Sequence, residues 1–145
     1  MRNRHGFTLV ETLLVLVIVT GLTTLVSFEG TPHRALMVER AFWPAWQRMW
    51  TAGRQYALHH HEPLTAEVQS QRGQVLLTTQ TDRVVGRLRI PPTLHLQGDS
   101  GRWPIYLSGA TKAQTLRWYS SANHQVLKQT FQLGGALFYV APENA

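Results

Sequence analysis

Glu11 is the one charged residue in GFTLVETLLVLVIVTGLTTLVSF, Gly6 to Phe28, an otherwise apolar or hydroxyl-bearing run. In mid-membrane such a charge costs about 2.5–3.5 kcal/mol, so an acid kept there calls for a positive partner. Arg2, Arg4 and His5 precede the run and end at Gly6. The other concentrated chemistry is His59-His60-His61 with Glu62. Neighbouring helical residues point about 100° apart, and useful ligand pairs sit at i, i+4, so this cluster does not converge on a metal. A solvated helix end, where histidine complements the helix dipole, accounts for it. His95 and His124 stand alone.

No catalytic set assembles. The chain has no G-x-S-x-G, H-E-x-x-H or phosphate-cradling glycine loop. Outside the helix, Glu62, Glu67, Asp82, Asp99 and Glu143 lie apart with no pairing interval. Gly98-Asp99-Ser100-Gly101 has the letters of a hydrolase nucleophile turn, but no histidine and aspartate context, and it reads as a turn between strands. With no cysteine there is neither disulfide nor thiolate chemistry. Neither enzyme activity, a metal site nor a cofactor is expected. Arg87 and Arg89, with Arg83 close by, Arg102 beside Trp103 and Arg117 beside Trp118, offer phosphate contacts with aromatic stacking, a possible DNA groove. Alternate strand residues share a face, so Arg87 and Arg89 project together; an ordinary solvated sheet face explains the same residues.

The elements that must position these groups follow from periodicity. A membrane span takes about 20 residues, reaching from Phe7 to around Val26, with the basic end inside. A cleaved secretory signal fits poorly, because the run is too long and ends in Ser27-Phe28-Glu29 without a small-x-small site. Gly30-Thr31-Pro32 reads as a break, with Thr31 as cap and Pro32 as first residue of a second helix to His61. There Trp43, Trp46, Trp50, Gly53 and Ala57 recur at steps of three and four. Trp43 lies about 54 Å along a collinear axis from Phe7, beyond the headgroups, so the tryptophans are expected to cover a sheet. Pro44 is expected to kink this helix without ending it.

Beyond Glu62-Pro63 come eight short β-rich runs: 65–70, 74–80, 83–90, 93–97, 103–107, 115–120, 125–132 and 136–141. Spacings this short demand antiparallel connections. The expected architecture is α+β. Residues 1–6 are a leader, 7–28 a transmembrane and assembly helix, 32–61 an amphipathic helix, and 62–145 a small antiparallel β-sheet domain. At 145 residues this is one domain plus its anchor. The net charge of +6 becomes +4 without Arg2 and Arg4, 12 basic against 8 acidic side chains, a scattered excess typical of a solvated surface.

A glycine, then Phe7-Thr8-Leu9-Val10-Glu11 and a long aliphatic run, resembles the class III signal of the type IV pilin and pseudopilin family. The resemblance implies that prepilin peptidase cuts between Gly6 and Phe7, that Phe7 is N-methylated, and that Glu11 serves subunit assembly. The ending, Leu116-Arg117-Trp118-Tyr119, the turn Ser121–His124 and Thr130–Val140 around Gly134-Gly135, is similar to the competence minor pseudopilins of Gram-positive bacteria, of the ComGD type. That implies a filament subunit needed for DNA uptake in transformation. Its partners would be other competence pseudopilins, the peptidase, an assembly ATPase and a membrane platform protein. The chain would sit single-pass in the cell membrane with its C-terminal domain outside, then at the surface in a pilus. DNA would be met indirectly. The alternatives are a DNA receptor at the pilus tip, through Arg87, Arg89, Arg102 and Arg117, or a type II secretion pseudopilin.

Overall fold

The computed structural model describes residues 9–98, 101–135 and 137–143, with side chains for all of them except 23–32. They divide into two compact units, Met1–Arg34 and Ala35–Ala145. One helix, α1, runs from Leu9 to His60. Where the sequence suggested a stop and a restart at Gly30-Thr31-Pro32, the helix continues. Proline's fixed φ near −65° is itself helical, and what it forfeits is one backbone hydrogen bond. Thr31 as a cap lies outside the described side chains. Pro44 likewise stands inside α1 without ending it. The helix stops at His61, which turns into the left-handed region at φ 50° ahead of Glu62-Pro63.

All eight β-rich runs are strands: β1 Leu64–Gln69, β2 Gln74–Thr79, β3 Val84–Arg89, β4 Leu94–Gln97, β5 Arg102–Ile105, β6 Gln114–Ser120, β7 Gln125–Phe131 and β8 Phe138–Pro142. They form two four-stranded sheets, ordered β3-β2-β1-β5 and β4-β6-β7-β8, and every pairing is antiparallel. A single sheet was the expectation. Pro91 and Pro92 explain the difference, since two residues without N–H groups cannot extend a ladder beside β3. The chain turns there through Leu94 N–H to Pro91 O, at 3.0 Å, and Ser121 N–H to Thr93 O, at 2.9 Å, which lays β4 against β6.

Within the second unit the two sheets share one core with the outer part of α1. Trp46, Trp50 and Ala57 of α1 are fully buried, with Leu64, Val68, Val75 and Ile105 from one sheet and Trp118 and Phe131 from the other. Phe131 stands 5.0 Å from the Trp50 ring and 5.4 Å from that of Trp103, edge to face, so one phenyl links helix and both sheets. Gly53 lets the helix lie close on β2, for a methyl there would come within 2.5 Å of Leu77 Cδ1. The tryptophan stripe is therefore core, as its spacing implied; only Trp43 stays half-buried.

Candidate assembly site

In the first unit, Glu11 occupies the opening turn of α1 and is exposed. The apolar side chains after it, from Leu13 to Leu22, are exposed on all sides of the helix, each more than half uncovered. Thr12 returns its hydroxyl to Leu9 O (2.9 Å) and Thr20 to Leu16 O (2.7 Å), so both hydroxyls are satisfied within the helix. A surface of this kind is at rest only in lipid or against other apolar helices. Gly6 and Phe7 lie outside the described residues. Among the described residues no helix is long and apolar enough to cross a membrane. The described side chains of this apolar run end at Leu22, whereas the run in the sequence continues to Val26.

The second unit is fastened by polar hooks from α1 to the loops. The Trp50 indole N–H donates to Gly135 O at 2.8 Å, and the Arg54 guanidinium donates to Gly109 O and, at 3.5 Å, to Gly134 O. Gly135 is obligatory: its φ is +64°, and a Cβ would collide with Thr111 Cγ2.

The four arginines considered for DNA are not brought to one place. Arg87 and Arg89 are exposed on β3 at one edge of the first sheet, and Arg102 is on β5 at its other edge. Arg117 belongs to the second sheet. Arg102 pairs with Glu67 at 3.0 Å, and Arg117 with Glu143 at 3.0 Å, where Lys128 joins at 2.7 Å. The Arg102 hydrogen bond holds the Glu67 carboxyl below its usual range, and the Lys128 hydrogen bond does so for Glu143. His59, His60 and His61 are exposed at the helix end, His60 stacked on Tyr56 with ring centres 4.1 Å apart. Among the described residues no group of histidines and acids is placed to hold a metal; Asp99 and Ser100 are outside them.

Sequence reasoning passed over Glu39. It is 4% exposed, its carboxylate receiving the hydroxyl of the buried Ser120, with Oγ 2.9 and 2.8 Å from the two oxygens. The signal was available. Phe42, Trp43, Trp46 and Trp50 follow Glu39 at three, four, seven and eleven residues, which places the acid on the apolar stripe.

Residues 1–26 match the prokaryotic N-terminal methylation motif. Among curated proteins nothing matches the chain. Among solved structures, the minor pseudopilin EpsH from the Type 2 Secretion System of Vibrio cholerae aligns with a TM-score of 0.54 at 11% identity, over 72% of this chain and 96% of that one. The fold is like that of EpsH. Helix and antiparallel sheets together make up that fold here, and the matched motif covers Gly6, Phe7 and Glu11.

Proposed function

We propose that this chain is a minor pseudopilin. Prepilin peptidase cuts it after Gly6, Phe7 is methylated, and the subunit leaves the bilayer for a filament with the help of an assembly ATPase and a membrane platform protein. The observation that carries the reading is a single acid, Glu11, in the first turn of a helix whose next turns are apolar all round, within a matched methylation motif. Cleavage gives Phe7 a new ammonium, one turn from the carboxylate. Pairing between Glu11 and a neighbour's N-terminus satisfies both charges in apolar surroundings and sets the axial stagger of subunits. The apolar surface that was in lipid then lies against other helices.

Glu11→Ala should insert into the membrane at normal levels and reduce filament numbers severely, counted by electron microscopy of sheared cells. Normal numbers would sink the reading. The finer assignment, a competence pilus that brings DNA to the cell, takes its support from the Leu116–Tyr119 and Thr130–Val140 ending. A secretion pilus is the competing system, supported by the likeness to EpsH. Deleting the chain separates them: loss of transformation with normal protein export supports competence, and the reverse supports secretion.

A further inference from the structure

We propose that the cleft between α1 and β8 receives a short extended segment from a neighbouring filament subunit, a segment whose lysine or arginine seats on Glu39. That the neighbour is a filament subunit rests on the pseudopilin reading; the chemistry of the cleft does not.

Glu39, Trp43 and Gln47 recur every four residues and so form one stripe of α1, about 12 Å from first to last. Leu127, Phe138 and Val140 face them across a cleft of about 490 Å³. The acid at one end is nearly out of water yet poorly compensated. Ser120 brings one hydroxyl proton to a carboxylate with about four acceptor sites; Arg40 lines the same cleft, but neither it nor any other cation of the described residues forms an ion pair with Glu39. Taking a carboxylate out of water is costly unless a cation answers it. Pro44, also lining the cleft, has no N–H, so the Arg40 carbonyl one turn before it lacks its helical donor and is a further acceptor.

The other end has the opposite deficit. Gln47 Oε1 accepts the Phe138 N–H at 3.3 Å, while its Nε2 is buried with no acceptor. An occupant that answers both ends brings a cation to one and an acceptor oxygen to the other. A metal ion or a free amine supplies the first alone. A peptide supplies both, and at about 3.3 Å per residue some four extended residues span the distance. The half-buried Trp43 ring between the two ends suits an aliphatic stem or the cation itself. β8 is an outer strand. Because the Phe138 N–H points to Gln47 and away from β7, the main-chain groups of Val140, two residues on, point away from β7 too, toward the side on which a strand would add.

The test uses the full chain in detergent micelles. The probes are the peptide acetyl-Ala-Val-Lys-Val-Ala-amide, its norleucine counterpart, and butylammonium. NMR shifts of the Gln47 side-chain amide, the Trp43 indole and the Val140 amide report binding. The lysine peptide should bind at least about tenfold more tightly than either other probe, and Glu39→Gln should erase that margin. Leu36→Arg, one turn before Glu39 and lining the same cleft, supplies the cation in cis. It should block the lysine peptide and raise the Tm, which keeps the proposal testable if Glu39→Gln folds poorly. Failure of the lysine peptide to bind, equal binding of lysine and norleucine peptides, butylammonium matching the peptide, or undiminished binding to Leu36→Arg would each overturn it. Normal filaments from Glu11→Ala together with tight peptide binding would remove the pseudopilin reading and leave the cleft's chemistry standing. Lost filaments with no peptide binding would do the opposite.

Discussion

Trp50 shows how much one side chain does in this protein. Its ring fills the core between the sheets and its indole N–H holds the Gly135 carbonyl. Trp50→Phe keeps most of the packing and leaves that carbonyl without the bond, so a loss of about 1–3 kcal/mol is expected in denaturant unfolding. Gly135→Ala should cost at least as much, because the added methyl must displace Thr111 and the backbone is left-handed there. The Glu67 and Glu143 carboxylates titrate below their ordinary value of 4.5, held down by hydrogen bonds from Arg102 and Lys128. A lowered folded pKa stabilises above the unfolded value and loses that contribution as pH falls through the folded one. The contribution of these two carboxylates to the Tm should therefore be present above pH 4.5 and be lost as the pH falls below it, with a shallower acid decline in the Glu67→Gln, Glu143→Gln double variant. These pairs are solvent-facing and the slope is modest. At this scale the sequence was uneven. The tryptophan stripe announced itself by spacing. Glu39 shares that spacing but was passed over, because an acid is ordinarily assigned to the solvent face, and its partner Ser120 lies 81 residues away.

Among the elements, α1 contains its own contradiction. Pro44 is exposed on the helix and gives no hydrogen bond to the Arg40 carbonyl. Pro44→Ala restores that bond, and a gain of about 1–3 kcal/mol is expected in chemical denaturation; the same substitution removes the free carbonyl from the cleft. The strands were legible almost residue by residue, since alternation and turn residues are local signals. Their division into two sheets was not. It depends on which strand β4 and β5 choose after the Pro91-Pro92 turn, and β5 finds β1 across more than thirty residues, Leu64 against Ile105. Such pairings are decided by burial in the assembled core, not by any short window. Helix continuity through Pro32 was likewise hidden, because proline reads as a boundary although its fixed φ is itself helical.

For the molecule as a whole, the two compact units divide the work. The globular unit has its own core, built by the outer part of α1 and both sheets, while the described side chains of the first unit are all exposed. On the proposed function that exposed apolar rod is the working part, first in lipid and then among its neighbours, and Glu11 converts an anchor into a building block. The conversion requires a new N-terminus one turn before the acid. Intact-mass and N-terminal analysis of the protein recovered from sheared surface filaments tests this most directly. The account predicts a chain that begins at Phe7 and carries one methyl group on its amino terminus. Filament protein still bearing residues 1–6 would contradict it.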